Sequence, residues 1–520
     1  LSDTVALRFS AETNSENGWV TSEPRNDDEY DARNYEQYRV KLRFQPTDRF
    51  DAVLAYSYTD SKGGEDYVEE SRFPAERVSF DSAEAVEGSV HRNLGLETRY
   101  DISDALTLTT ETNFYNQDYT RLEGDAAPFA IGRSFRDFSS TSETFEQDVQ
   151  LSYSGERMTG VVGVFYTETE DTRPSRINTD LVGAGFPGVT DFLNEDFDTK
   201  VRNFAIYGEA DIALADQLTL TVGARYDVEK YQYRQALDFG PILNGSGIPD
   251  IASRSGSRSF EAFLPKIGLV YDFVPDQSIG LTVQRGYRAG GASSNLVETL
   301  IPGVDPISNY DPEFSTSYEI AYRGSFNEDR LRVFANAFYT KWTDMQISAP
   351  GTPSGTALDA LFNNDTVIAD DLMLYGFEFS VEAEPTDQIA LFASVGYTKT
   401  EFNSFVVGTN DFSGNQFPFA PEWTGNLGGK YSWENGFAVA VDASYKGASF
   451  QDNANTYTDD KRWLLNAHAT YAINDNFTAG LYVLNITDEQ FATARFQDTT
   501  SSIIRTGEPR TIGAYIQAEF

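Results

Sequence analysis

Apolar residues recur at every second position of this chain, and the alternation runs from its first residues to its last. Between 218 and 228, Leu218, Leu220, Val222, Ala224, Tyr226 and Val228 fall on one face, and Thr219, Thr221, Gly223, Arg225 and Asp227 on the other. Successive strand side chains point to opposite faces, so the stretch reads as a strand with one apolar and one polar face. Tyr38, Val40, Leu42 and Phe44 alternate in the same way with Arg39, Lys41 and Arg43. Leu94, Leu96, Thr98, Tyr100 and Ile102 alternate with Gly95, Glu97, Arg99 and Asp101. Phe437, Val439, Val441, Ala443 and Tyr445 alternate with Ala438, Ala440, Asp442 and Ser444, and Ile512, Ala514, Ile516, Ala518 and Phe520 share one face. A buried soluble sheet shows this period once or twice; here it recurs along the chain.

The connections alternate too. Short polar turns stand at 46–49, 101–105, 154–157, 214–217, 274–277, 327–330, 385–388, 434–436 and 474–476. Between them lie long segments rich in Asp, Asn, Gly, Ser and Pro, such as 60–90, 171–198, 234–258, 291–313, 349–370 and 403–420. Short turns on one rim and long loops on the other are the asymmetry of an outer-membrane barrel. A propeller or solenoid would show a fixed repeat length, and none is found. The pattern predicts about twenty strands. They fall near 3–12, 35–46, 49–61, 91–102, 105–119, 143–154, 158–170, 199–214, 217–233 and 259–274, then near 278–289, 314–326, 330–348, 371–384, 388–402, 421–434, 437–450, 462–473, 477–490 and 510–520. The fold class is all-β, a transmembrane antiparallel up-and-down β-barrel.

Composition fits that reading. The 520 residues carry a net charge of −40, and their mean hydropathy is −0.42. No run of eighteen apolar residues exists, so no transmembrane helix is predicted. A barrel strand faces lipid only on alternate residues, so a polar average does not exclude a membrane protein. The acidity argues against nucleic acid, whose phosphates need clustered Lys and Arg, and reads as solvation of long loops. There is no cysteine, hence no disulfide or thiolate site, and the two histidines, His91 and His468, give little material for a metal centre. Serines are plentiful, but two histidines far apart in sequence offer poor prospects for a catalytic triad. No enzyme, cofactor or metal is expected. Aromatic residues, 14% of the chain, suit strands and interface girdles.

Specific motifs sharpen the barrel. LYVLNITDEQF at 481–491 resembles the penultimate-strand motif of TonB-dependent receptors, and GEPRTIGAYIQAEF at 507–520 resembles their final strand. LPKIGLVYDF at 264–273, RGYRAGG at 285–291, YDPEFSTSYEIAYRG at 310–324 and FAPEWTGNLGGKY at 419–431 are similar to that family as well. The resemblance implies a barrel of twenty-two strands filled by an N-terminal plug. LSDT at 1–4 resembles the periplasmic turn after the first barrel hairpin, so residues 1–520 are expected to be the barrel alone, lacking the plug, its TonB box and the first two strands. It further implies an outer-membrane receptor that imports a scarce nutrient, most often a ferric siderophore, energised through TonB. Saccharide, haem and cobalamin are alternative substrates, and a passive porin-like channel or a surface-binding adhesion barrel are alternative functions. The implied partners are the outer-membrane bilayer, the TonB complex through the plug, a ferric chelate, and the barrel-assembly machinery, which reads a terminal aromatic such as Phe520.

Four residues are candidates for binding ligand. Arg288 ends a strand with parity opposite to Leu281 and Val283, which points it into the lumen near the outer rim, where a cation can meet an anionic chelate. Its competing and favoured reading is a lumen ion pair. Trp342, with Tyr339, ends a strand at the same rim; stacking on ligand competes with girdle anchoring, which is favoured. Tyr310 and Tyr457 lie in outer loops and are harder to assign to a girdle. DDEYD at 27–31 groups carboxylates, but calcium needs a geometry the sequence does not give. His468 has lumen parity beside Asn466 and Thr470 and reads as a hydrogen-bonded lumen residue.

Overall fold

The structure, a computed structural model, describes residues 4–64, 67–79, 86–123, 133–180, 189–245, 250–295, 307–349, 365–497 and 502–519. In lipid every backbone N–H and C=O needs an internal partner, and strands paired edge to edge supply one. Twenty strands pair in this way: β1 (Val5–Glu16), β2 (Arg33–Thr47), β3 (Phe50–Gly63), β4 (Val86–Asp101), β5 (Leu106–Glu123), β6 (Arg133–Ser154), β7 (Met158–Thr172), β8 (Val189–Ala215), β9 (Leu218–Phe239), β10 (Ile251–Val274), β11 (Gln277–Arg288), β12 (Glu313–Phe326), β13 (Leu331–Ala349), β14 (Asp365–Thr386), β15 (Ile389–Ser404), β16 (Trp423–Ser432), β17 (Phe437–Lys446), β18 (Arg462–Asn474), β19 (Phe477–Leu484) and β20 (Thr511–Ala518). Each is antiparallel to its neighbours in chain order, from β1–β2 to β19–β20. A further strand, Pro174–Asp180, continues the line of β7 between β6 and β8. The described residues hold no ladder between β1 and β20.

Twenty strands and all nine short turns stand where the pattern put them. The main difference is length. β8 begins at Val189 rather than near 199, β9 runs to Phe239, and β10 begins at Ile251. Much of 171–198 and 234–258, read as loop, is therefore strand. Beyond the bilayer the outward face meets water, so alternation fades while backbone pairing continues, as in Leu193↔Phe239. β8 has 27 residues, against the roughly nine to eleven that cross a bilayer. β19 does the opposite and stops at Leu484, because Asn485 takes a left-handed turn with φ 48°. The one helix among the described residues is the five-residue Pro241–Gly245.

The outward face is apolar and bare. Phe9, Val162, Ile206, Leu281, Leu427, Leu481 and Ile512 are each more than half exposed, far beyond the apolar patch a soluble monomer shows. Aromatic pairs bracket this band. Trp423 and Tyr431 on β16, Tyr445 and Phe437 on β17, and Trp463 and Tyr471 on β18 are all eight residues apart. Eight residues rise ~27 Å along a strand, or ~21 Å once tilted by ~40°, close to the apolar belt of an outer-membrane barrel. Rings touch along each girdle: Tyr397–Trp423 and Tyr445–Trp463 at 4.8 Å on one, Tyr431–Trp433 at 4.4 Å on the other.

The inward face is polar and paired. Arg43 meets Asp51 at 2.7 Å, and Lys266 meets Glu209 at 2.8 Å. Tyr482 lies across Gly513 and Tyr515 across Gly480, so closely that a Cβ would stand 2.1 Å and 2.2 Å from the rings. A sheet this wide cannot fill its interior with side chains. Large buried apolar residues gather instead at the outer end, and among the described residues three lobes of them stand out. One joins Val20, Tyr30, Val68 and Ile504; a second joins Ala369, Leu372, Phe402, Phe405 and Phe417; a third joins Tyr231, Phe260, Ala292 and Ile307.

The NITDEQF and EPR segments close the last hairpin. Asn485 Nδ2 donates to the carbonyls of Glu489 (3.0 Å) and Glu508 (3.1 Å), and its Oδ1 accepts the Glu489 N–H at 2.9 Å. Asp488 Oδ1 accepts the Arg510 N–H at 3.0 Å. The turn after β19 is thereby tied to the entry of β20.

Candidate ligand site at the outer rim

The third lobe is built by a short hairpin, Gly291–Ser294 paired with Ile307–Tyr310, laid against the upper ends of β9 and β10. RGYRAGG makes this approach possible. A Cβ on Gly290 would stand 2.4 Å from the Tyr310 carbonyl oxygen, and one on Gly291 would stand 2.5 Å from the Tyr310 hydroxyl. Tyr231 and Phe260, on the inward-facing register of β9 and β10, form the apolar floor, and Tyr231 Oη donates to the Ala292 carbonyl at 3.2 Å.

Charged groups ring this floor. Arg258 Nη1 donates to the Tyr310 carbonyl at 2.8 Å, and its other nitrogen pairs with Asp311. Arg288, at the end of β11, faces Glu313 across the β11–β12 ladder. Their closest approach is 3.8 Å, longer than a hydrogen bond, with the Arg288 side chain 66% exposed and the Glu313 side chain 4% exposed. Glu313 is held from behind: its Oε2 accepts the Gln346 N–H at 2.6 Å, and Gln346 Nε2 donates to the Ala289 carbonyl at 2.7 Å. Burial pushes the Tyr310 phenol above its usual range, while the positive charges of Arg288 and Arg173 pull it back. Arg173 is itself paired with Asp171 at 2.9 Å.

The sequence candidates thus divide. Tyr310 packs on Gly290 and Gly291, just beyond Arg288 in the chain, and Arg288 stands beside a carboxylate. Trp342 does not join them, nor does it share the outward register of Tyr339, whose ring lies 6.4 Å from Tyr318. It stands opposite Leu372 and packs on the second lobe. Its register with the buried Thr340 already places it on the inward side, which argues against the girdle. Tyr457 is exposed in another loop, where Asp452 Oδ1 accepts its N–H at 2.9 Å. In DDEYD, Asp31 is buried and caps its own loop: one oxygen accepts the Trp19 and Val20 N–H groups, both at 2.7 Å. Burial raises its pKa against those two bonds. His468 stacks on Tyr482 with ring centres 6.2 Å apart. Phe520 lies outside the described residues. Arg258 and Arg173 were not predicted. Arg258 shares register with Phe260 and is findable once β10 is known to reach it, but Arg173 lies in a stretch with no periodic signal.

Comparison with known proteins places this geometry. Residues 3–486 match the family described as TonB dependent receptor-like, beta-barrel. The metal-pseudopaline receptor CntO of Pseudomonas aeruginosa is 21% identical over 335 residues, 62% of this chain and 41% of that protein. The probable TonB-dependent siderophore receptor PiuA of Acinetobacter baumannii is 20% identical over 310 residues, 58% of this chain and 39% of that protein. Among solved structures, the ferric yersiniabactin uptake receptor FyuA of Yersinia pestis superposes with a TM-score of 0.82 at 16% identity, covering 100% of this chain and 76% of that one. At such identity the structural likeness shows the fold alone. The chain spans about two fifths of the length of the curated relatives it matches.

Proposed function

The chain belongs to the TonB-dependent receptor β-barrel family, and on that premise we propose that it is the barrel of a receptor importing a scarce metal chelate of the ferric siderophore class, with energy supplied through TonB. It is an outer-membrane protein, and the proteins it resembles are transport receptors rather than enzymes. CntO, PiuA and FyuA are named as receptors for metal-pseudopaline, a siderophore and ferric yersiniabactin, which supports the substrate class.

The observation that carries the reading is the placement of the packed lobes. A passive channel needs only an open, polar lumen. Here the large buried apolar residues are spent at the outer end, holding loops in fixed positions around a rim that presents Arg288 and Tyr310. Fixed loops bearing charged and aromatic groups suit capture of a ligand from dilute solution. The outer membrane holds neither ATP nor an ion gradient, so releasing a captured ligand inward needs energy from elsewhere; in this reading a plug filling the lumen receives it from TonB.

The test is periplasmic accumulation of radiolabelled iron chelates in cells carrying or lacking the full-length protein. Accumulation of at least one chelate is expected to depend on the protein and to fall to the deletion level when a protonophore collapses the proton-motive force. Accumulation that persists under the protonophore would identify a passive channel instead. Surface binding with no accumulation would identify an adhesion barrel.

A further inference from the structure

Arg285 is a charged, exposed residue on the face that meets lipid, and no carboxylate among the described residues pairs with it. We infer that Arg285, Lys341 and the Thr316 hydroxyl form a seat for the phosphate of an outer-leaflet lipid, whose acyl chains lie on the tyrosines below. The site belongs to the barrel in its membrane and does not depend on what the receptor imports.

Register fixes which way these side chains point. β11 turns Leu281 and Val283 outward, 52% and 36% exposed, and Arg285 has the same parity. The β11–β12 ladder sets Val283 against Tyr318 and Arg285 against Thr316. The β12–β13 ladder sets Tyr318 against Tyr339 and Thr316 against Lys341, and both ladders run unbroken. Arg285, Thr316 and Lys341 therefore form one outward row. Tyr318 and Tyr339, with ring centres 6.4 Å apart, stand in the next row toward the periplasm. Two strand spacings separate the Arg285 and Lys341 backbones by ~10 Å, a gap that two long side chains close onto a single phosphate.

The height is that of lipid headgroups. Phe314 stands eight residues before Tyr322 on β12, the spacing that separates the two girdles on β16, β17 and β18. Phe314 is thus an outer-girdle ring, and Arg285 starts just beneath it. The Arg285 guanidinium carbon lies 4.1 Å from the centre of that ring. The side chain snorkels: its hydrocarbon stem stays in the apolar band while its charge rises to the interface.

The surroundings leave the charge to the lipid. The cross-strand neighbours of Arg285 are Thr316, Phe314 and Tyr318. On its other side β10 turns Phe263 and Ile267 outward, each 54% exposed. Lys341 comes no closer than 3.8 Å to Asp371, longer than a hydrogen bond, and its side chain stays 55% exposed against 39% for Asp371. Glu401 stands two strands beyond Lys341 in the same row. Other outward cations are already held: Arg202 and Lys200 meet Glu168 at 2.5 Å and 2.8 Å, and Arg234 meets Asp198 at 3.0 Å. A phosphate offers the guanidinium fork two acceptor oxygens at once, and a lipid brings that phosphate to the height at which Arg285 waits.

The experiment uses the full-length protein in detergent, with a short-chain phosphatidic acid, the matching diacylglycerol and inorganic phosphate as probes. Native mass spectrometry gives the affinity for each in wild type, Arg285→Gln, Arg285→Lys, Lys341→Gln and Thr316→Val, after confirming that each variant keeps the folded mobility of the unheated barrel. Wild type is expected to hold phosphatidic acid at least tenfold more tightly than diacylglycerol. Arg285→Gln should weaken phosphatidic acid about tenfold, the scale of losing one charge-assisted hydrogen bond, with smaller losses for Lys341→Gln and Thr316→Val. Arg285→Lys keeps the charge and should retain most of the affinity, and with Lys341→Gln it carries the test if Arg285→Gln does not fold. Diacylglycerol binding should not change in any variant. Equal affinity of wild type and the variants for phosphatidic acid would overturn the seat. Inorganic phosphate binding as tightly as phosphatidic acid would make this an ion site and overturn the assignment to lipid. Either result leaves the receptor reading intact, since loss of that reading shows only in chelate accumulation.

Discussion

Replacing Asn485 with Ala is expected to destabilise the folded barrel by about 3 kcal/mol. Two effects add. Asn485 sits at φ 48°, a left-handed conformation that costs an Ala roughly 1 kcal/mol or more. Its side chain also serves three backbone groups, the Glu489 N–H and the carbonyls of Glu489 and Glu508. Losing these leaves half-buried polar groups unpaired, at roughly 2 kcal/mol in total. Asn485→Gly relieves the backbone cost and not the lost bonds, so it should recover only the first share. The measurement is the urea midpoint of the full-length barrel refolded into lipid vesicles. If the Ala variant unfolds within error of wild type, NITDEQF is not the clasp described. The prediction has a functional edge, because the same turn holds the entry to β20 through Asp488 and Arg510.

The second large effect concerns the lipid face. Leu427 lies midway between Trp423 and Tyr431 on β16 and is exposed outward. An arginine there meets the middle of the bilayer, at roughly 2–4 kcal/mol. The adjacent Asn426 points inward, where Asn426→Arg meets a polar lumen and should shift stability by no more than ~0.5 kcal/mol, the usual range for an exposed site. The contrast between two consecutive residues is the useful quantity, since it cancels general effects of added charge. Equal destabilisation by both substitutions would contradict the assigned faces.

These predictions draw on features of unequal legibility. The faces were readable because lipid imposes a strict rule: every second residue from Leu218 to Val228 had to be apolar, and it is. The turns were readable because Pro, Asp, Asn and Gly cluster where a strand must reverse. Outside the bilayer that rule lapses. The upper parts of β8, β9 and β10 pair as regularly as the rest, yet Val189–Asp198 carries no alternation, so its strand was invisible. The small sheets of the loops were hidden for the same reason, since their partners are far apart in sequence, as Val68 and Ile504 are. At the rim, Arg288 and Tyr310 could be named singly from register and residue type. That Tyr310 packs beside the end of β11 depends on Gly290 and Gly291, whose role appears only when Tyr310 is placed over them.

The central claim is that the even-numbered residues of β9 face lipid and the odd-numbered ones the lumen. These 520 residues contain no cysteine, so a single cysteine at each position from 218 to 228, with any cysteine elsewhere in the full-length protein replaced by serine, gives one spin label per chain. In the full-length protein in lipid vesicles, collision with oxygen, which concentrates in lipid, should peak at 220, 222, 224, 226 and 228. Collision with a water-soluble nickel chelate should be lowest at those same positions. Accessibility without a period of two, or with the phase reversed, would contradict the barrel described here.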